Sequence, residues 1–173
     1  MRQLIEYFWQ LLLLRRGPQD APSSVALLQL LIGLNLVVNA LLGRAIFGGL
    51  GRALGAEVIE LLVSAALLFA ALQVRERAAR WRQSYIALLG AGVMMGLLAL
   101  AYRSLAALIG TEMLADAVAM TLFFWGLAVL GHILRHALEI SLAFGILLAF
   151  AYTMFLLGLI AQWLPPGLVS QTN

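Results

Sequence analysis

The chain has 173 residues, of which 64% are hydrophobic and only 11% are charged. Soluble domains are about 45–50% apolar, so one small domain cannot hide this much apolar surface from water, and lipid must solvate much of it. The absence of cysteine excludes disulfides, thiolate metal sites and iron–sulfur clusters. All basic residues are arginines beside apolar runs, so the net charge of +3 favours anionic lipid rather than nucleic acid as the partner.

Residues 1–16 are predicted to form an amphipathic helix that lies in the membrane interface. Gln3, Glu6 and Gln10 share one helical face, and apolar and aromatic residues occupy the rest of the surface. This pattern is typical of a helix whose apolar side sinks into the headgroup region of a bilayer.

Five apolar runs follow, each long enough for a transmembrane helix. They cover residues 25–42, 57–74, 84–102, 112–134 and 138–164. Because about 20 apolar residues cross a hydrocarbon core, the sequence predicts an all-α, polytopic membrane helix bundle that forms a single domain over residues 1–173. Residues 104–111 fit either a continuation of the third span or a short re-entrant segment.

The arginine-rich segment 75–82 determines the predicted orientation, because such segments stay in the cytoplasm. With the N-terminus inside, eight arginines lie on the cytoplasmic side and three lie outside. The prediction is an inner-membrane protein with a cytoplasmic N-terminus. The predicted contacts with lipid headgroups are Arg15, Arg16, Arg75, Arg77, Arg80 and Arg82.

Polar side chains inside the first span are expected to form hydrogen bonds between helices. Asn35 and Asn39 are four residues apart and therefore share a helix face. Gln29 lies in the same span. Amide side chains in membrane bundles commonly bond across helices, and contact with a substrate is the alternative.

Two rows of small residues predict close helix packing. Gly92 and Gly96 are four residues apart in the third span, and Ser141, Gly145 and Ala149 repeat at the same spacing in the fifth. Such positions let two helix backbones approach each other, either within one chain or between two copies of it.

Four carboxylates begin two of the predicted spans on the same, outer side of the membrane. They are Glu57, Glu60, Glu112 and Asp116. Paired carboxylates can share a proton or hold a hard cation, which predicts an ion or ligand site. The alternative is structural, since acidic residues favour helix N-termini and pair with nearby arginines.

The two histidines of the chain form part of a candidate metal site. His132, His136 and Glu139 have the spacing of one helical face, and histidine can also sense cytoplasmic pH. The alternative is an ordinary ion pair between Arg135 and Glu139, four residues apart.

Three stretches of the chain resemble the Yip domain (Ypt-interacting-protein-like) family of compact five-span membrane proteins. LLLLRRGPQDAPSS looks like the family's opening segment, with a proline just before the first span. The arginine-rich link fits the family's topology, and FFWGLAVLGHILRHALEISLAFGILLAF is similar to its last two spans. The Asp-Leu-Tyr-Gly-Pro type motif of eukaryotic members is absent, so the resemblance implies a bacterial member.

The predicted function is that of a non-enzymatic scaffold that binds membrane proteins or lipids, because loops are short and no catalytic motif is apparent. No cofactor is predicted. The alternative is a small transporter or channel that uses the outer carboxylates with Asn35 and Asn39. A third hypothesis is a membrane enzyme that acts on lipid headgroups through His132, His136 and Glu139.

Overall fold

Six α-helices make up most of the computed structural model, which describes residues 2–109 and 112–163, with side chains for all of these except 109, 112–115 and 163. This part of the chain is 86% helical and has no strand. The helices are α1 (Arg2–Leu12), α2 (Val25–Gly43), α3 (Leu50–Val74), α4 (Trp81–Ile109), α5 (Glu112–Leu138) and α6 (Leu142–Trp163). Short 3-10 turns, Pro18–Asp20 and Ala78–Arg80, precede α2 and α4.

Five of the helices, α2 to α6, are long and apolar enough to cross a membrane. Large apolar side chains such as Leu62 on α3 and Phe124 on α5 point away from the protein and are well exposed. Lipid solvates such surfaces, whereas water does not. The predicted all-α membrane bundle is confirmed, and the chain is an integral membrane protein.

Some of the predicted boundaries were wrong. The second predicted span began at Glu57, but α3 begins at Leu50, so Glu57 lies about 10 Å inside the helix. The last two spans meet at residues 139–141, because α5 continues through the polar Arg135 and His136 that interrupt the apolar run. Residues 1 and 164, at the predicted ends of the first helix and last span, lie outside the described residues.

Most of the segment 104–111, which fitted either a continued third span or a short re-entrant segment, continues the third span. Residues 104–109 continue α4, which is 29 residues long. Residues 110 and 111 lie outside the part of the chain that the structure describes. A helix of this length exceeds a hydrocarbon core of about 30 Å, so α4 tilts within the bilayer or emerges from it.

The amphipathic character of α1 is confirmed, but its apolar face packs against protein. A β-carbon built on Gly90 of α4 would lie only 1.9 Å from the ring of Phe8. The ring therefore occupies the space that a side chain at position 90 would fill. The side chains that α1 buries are Tyr7, Phe8, Leu11 and Leu12. Periodicity predicts the apolar face of a helix, but it does not distinguish lipid from protein as the surface that covers it.

Hydrogen bonds hold the end of α1 on the bundle. The indole Nε1 of Trp125 donates to the carbonyl of Leu12 at 2.8 Å, and the Tyr7 hydroxyl donates to the carbonyl of Gly17 at 3.1 Å. The first bond satisfies a carbonyl group that the end of α1 leaves free, and the carbonyl of Gly17 also accepts the N–H of Asp20. Burial raises the pKa of the Tyr7 hydroxyl, so the group stays protonated and remains a donor.

Three helix ends share one unusual geometry, in which a residue other than glycine adopts the left-handed conformation. These residues are Leu14, Glu76 and Glu139, with φ between 53° and 59°. At each, the following N–H bonds the carbonyl five residues back at 2.7–3.1 Å, which is the Schellman arrangement. A side chain in this conformation costs about 1–2 kcal/mol, so other contacts must offset the cost.

Glu139 makes such contacts. It forms ion pairs with Arg77 and Arg80, the second at 2.9 Å, while Nε of Arg75 donates to the carbonyl of Leu138 at 3.2 Å. The α5–α6 turn is therefore clamped to the arginine-rich link. The hydrogen bond from Arg77 and then that from Arg80 lower the pKa of the Glu139 carboxyl.

The arginines predicted to contact lipid headgroups therefore divide into two groups. Four of them make contacts within the chain. Arg75, Arg77 and Arg80 contact the α5–α6 turn, and Arg82 donates to the carbonyl of Ser23 at 3.2 Å. Arg15 and Arg16, after α1, are exposed and keep their guanidinium groups available for headgroups.

We expect Gly90→Ala to destabilise the protein by roughly 1–3 kcal/mol, because the added methyl collides with the Phe8 ring and overpacks the contact between α1 and α4. Thermal unfolding in detergent measures the change. Gly33→Ala is the matched control, since nothing lies within 4 Å of its added carbon. Equal stability of both variants would contradict the packing of α1 on α4.

We expect Glu139→Gln to lower stability at neutral pH and to have less effect in acid. The pKa of Glu139 is lowered by folding, so its stabilisation is complete above the ordinary value of 4.5 and is lost as pH falls through the lower folded value. Thermal unfolding of the variant and wild type over a pH series tests this. An equal loss of stability in the variant at neutral and at acid pH would contradict the role of the ion pairs of Glu139.

Candidate functional site

A row of polar side chains crosses the bundle and begins at Asn35 of α2. Its Nδ2 donates to the carbonyl of Leu31 at 2.8 Å on its own helix and to that of Leu89 at 2.9 Å on α4. Asn35 is only 4% exposed. A β-carbon on Gly92 would lie 2.8 Å from its Oδ1, so glycine leaves the space for the amide. The predicted bond between helices is confirmed for Asn35.

Asn39 continues this row to α3. Its Nδ2 lies 3.2 Å from Oδ1 of Asn35 and 3.1 Å from Oε1 of Glu57, and donates to both. Gly96 leaves the space for Asn39 as Gly92 does for Asn35. Because the two asparagines are four residues apart, they form a continuous row of hydrogen bonds that runs from α4 through α2 to the carboxylate of Glu57 on α3.

Gln29 does not take part in the row. It is exposed on α2 and forms no hydrogen bond with any residue that the structure describes. Its predicted bond between helices was wrong. Spacing explains the difference, because Gln29 is six residues before Asn35 and therefore falls on another face of the helix.

Two carboxylates of α3 face a cavity of about 580 Å³. Glu57 is only 5% exposed and accepts the bond from Asn39. Glu60, one turn later, is half-buried and forms neither a hydrogen bond nor an ion pair within the described chain. The other polar side chains of the lining are Asn35, Asn39, Ser64, Tyr152 and Thr153.

The structural alternative for Glu57 and Glu60, in which acidic residues begin a helix and pair with nearby arginines, was wrong. Glu57 lies two turns inside α3 rather than at its N-terminus, and neither carboxylate pairs with an arginine among the described residues. The described lining of the cavity contains no arginine, lysine or histidine. The two groups therefore lack the counter-charge that an ordinary acidic helix start obtains.

The four predicted carboxylates do not all meet. Asp116 is exposed on α5 and does not line the cavity, and the side chain of Glu112 lies outside those described. Asp116 is in the second turn of a 27-residue helix, whereas Glu57 is two turns inside α3. Both residues were predicted to lie near the starts of spans, but only Asp116 does.

Hydroxyl groups extend the polar row along α3, away from the N-terminal end of that helix. Tyr85 of α4 donates to the carbonyl of Leu61 at 2.7 Å, and Ser64 of α3 donates to the same carbonyl at 3.0 Å. Neither hydroxyl was among the site residues predicted from the sequence. A signal was present, because Glu57, Glu60 and Ser64 are three and four residues apart and so share one helix face.

The predicted histidine metal site is not assembled. The rings of His132 and His136 lie 4.5 Å apart, and Nε2 of His132 lies 3.0 Å from the carbonyl of Arg16. Glu139 lies in the turn after α5, where it pairs with the arginine-rich link instead of Arg135. No group of three acidic or histidine side chains in the described chain is placed to hold a metal ion.

The rows of small residues pack within the chain. Gly92 and Gly96 adjoin α2, and a β-carbon on Gly145 of α6 would lie 2.4 Å from the carbonyl oxygen of Gly131 on α5. Ala149 is fully buried, and Oγ of Ser141 accepts the N–H of Phe144 at the start of α6. Except for Ser141, which is exposed at the start of α6, these positions are therefore covered by helices of the same subunit.

In comparisons with protein families, curated proteins and solved structures, nothing matches this chain. The resemblance to the Yip domain family stays a prediction from the sequence. The chemistry of the cavity is therefore the basis for the proposed function.

We expect Asn35→Leu to destabilise the bundle by about 1 kcal/mol, since bonds between membrane helices are worth roughly 0.6–1.7 kcal/mol and the Leu89 carbonyl loses a donor. Gln29→Leu on the same helix is the matched control and should change little. Thermal unfolding in detergent compares the two variants. Equal changes would contradict the role of Asn35 between helices.

Proposed function

We propose that the protein is a small transporter or channel that binds a cation within the membrane at Glu57 and Glu60. One observation carries the proposal: the two carboxylates face a cavity whose described lining offers no basic side chain. A carboxylate removed from water must hold a proton or find a cation. Since the lining supplies none, the counter-charge must come from a bound ion or from solvent protons.

The two carboxylates have different surroundings, and these support an exchange of cations for protons. Glu57 is oriented by the amide of Asn39, whereas Glu60 is not engaged by the described chain. Carboxylates one turn apart disfavour double ionisation, so at least one of them keeps a proton. A cation that enters the site displaces one proton, which makes proton-coupled exchange the function that these groups serve best.

The loop between α2 and α3 forms one wall of the cavity. Ile46 and Phe47 of this loop line the cavity. Gly48 and Gly49 follow with φ of 71° and 155°, values that favour glycine. We propose that this loop lies on the outer side and controls access to the site.

The proposed orientation places the N-terminus in the cytoplasm of a bacterial inner membrane. It is supported by the clustering of positive charge at one end of the bundle, where Arg77, Arg80 and Arg82 bond to the other turns of that end. Five apolar helices also agree in number with the family that the sequence resembles, and this likeness concerns architecture alone.

A non-enzymatic scaffold that binds membrane proteins or lipids remains the competing proposal. It drew on small-residue faces that other helices of the chain now cover, and so it has lost part of its support. The hypothesis of a lipid enzyme has even less support, because His132 contacts the carbonyl of Arg16 and Glu139 pairs with Arg80.

We expect Glu57→Gln and Glu60→Gln each to reduce cation-driven proton release by about tenfold or more, which corresponds to roughly 1.4 kcal/mol. Purified protein is reconstituted in vesicles that hold a pH-sensitive dye, and Na⁺, K⁺ or tetramethylammonium is added outside. Asp116→Asn is the matched control, since this carboxylate lies outside the cavity.

Two results would overturn the proposal. One is unchanged proton release in the Glu57→Gln, Glu60→Gln double variant. The other is the absence of both cation binding and proton release in the wild type, which would favour the scaffold. Thermal unfolding of each variant separates loss of function from loss of fold.

A further inference from the structure

A second pocket of about 310 Å³ adjoins the polar cavity. Its volume is at the lower limit of ligand pockets, which span about 300–1,000 Å³. Apart from two hydroxyl side chains, its lining is apolar, and α3, α5 and α6 supply most of it. Representative lining residues are Leu67, Ala71, Leu134, Leu148, Ala151 and Phe155.

The two spaces share a wall. Ser64, Leu88, Leu130 and Tyr152 line both of them, so the shared hydroxyl groups of Ser64 and Tyr152 lie at the junction. Glu60 is one helical turn before Ser64, a rise of about 6 Å along α3. A carboxylate that lacks a partner and an apolar pocket are therefore within reach of one small molecule.

The apolar pocket opens to the surface between α3 and α6. Leu67 is 42% exposed and Phe155 is 54% exposed, and in a membrane this surface faces lipid. Farther along, the two helices meet through Ala56, Leu156 and Ile160. They therefore touch at one level and separate at another, which leaves a lateral opening from the bilayer.

We propose that the ligand is an amphipathic cation, with its positive head at Glu57 and Glu60 and its apolar body in the pocket between α3 and α6. The proposal rests on the proposed function and gives it a ligand class. A primary amine or a quaternary ammonium fits the head site. A neutral lipid would leave the carboxylates without a counter-charge, and an inorganic cation would leave the apolar pocket unused.

The membrane determines how the two parts contribute. The apolar body enters from lipid that is already apolar, so its transfer contributes little hydrophobic free energy. Attraction to the carboxylates supplies most of the binding, and the pocket selects by shape. A change that fills the pocket should therefore reject long cations and spare short ones.

The test uses full-length protein in nanodiscs of phosphatidylcholine, with empty nanodiscs to correct for partition. Equilibrium dialysis measures the binding of tetramethylammonium and octyltrimethylammonium, which share one head. Ala151→Phe fills the pocket, and Ala143→Phe, on the same helix but in a groove on the opposite flank, is the matched control. Ala71→Leu fills the pocket from α3 and replaces Ala151→Phe if that variant does not fold.

We expect Ala151→Phe to weaken octyltrimethylammonium roughly tenfold while tetramethylammonium binds as before. Ala143→Phe should bind both as the wild type does, and Glu60→Gln should weaken both. Unchanged octyltrimethylammonium binding in Ala151→Phe and Ala71→Leu would overturn the amphipathic ligand but leave the cation site standing. Equal competition by octanol would also overturn it, because the pocket would then hold a neutral chain. No binding of either cation would instead refute the proposed function.

Discussion

A polar group inside a membrane has no water to bond, so the protein or a ligand must supply its partner. In this chain that constraint falls on α3, where Glu57 and Glu60 lie within a helix that crosses the bilayer. The amide row satisfies Glu57 from α2. Nothing in the described chain does so for Glu60, and the proposed chemistry follows from this difference.

The same row explains where the bundle is tightly packed. Asn35 and Asn39 fit because Gly92 and Gly96 leave room on α4, so hydrogen bonding and close helix approach depend on each other. At the end of the bundle that holds the arginine-rich link, ion pairs of Glu139 join two turns. The helices are therefore closely packed between α2 and α4 and at this end of the bundle. By contrast, α3 and α6 separate where the apolar pocket opens.

Much of the architecture could be predicted from the sequence, because apolar length alone decides which segments cross a bilayer. The asparagine face followed from four-residue spacing. The predicted boundaries were wrong where polarity and helix ends do not coincide. Residues 50–56, before the predicted start of the second span, form helix, and Arg135, which was predicted to lie between the last two spans, lies inside α5. The partner of Glu139 could not be predicted, because Arg77 and Arg80 approach it only through tertiary packing.

The number of carboxylates limits the exchange that the proposal describes. A monovalent head neutralises one of Glu57 and Glu60, and the other still lies in a cavity without a basic side chain in its described lining. It must therefore keep a proton while the cation is bound. Without the cation, loss of both protons would leave two unpaired negative charges in the membrane. The site is then neutral overall either with two protons or with one proton and one cation, which implies an exchange of one proton for each cation.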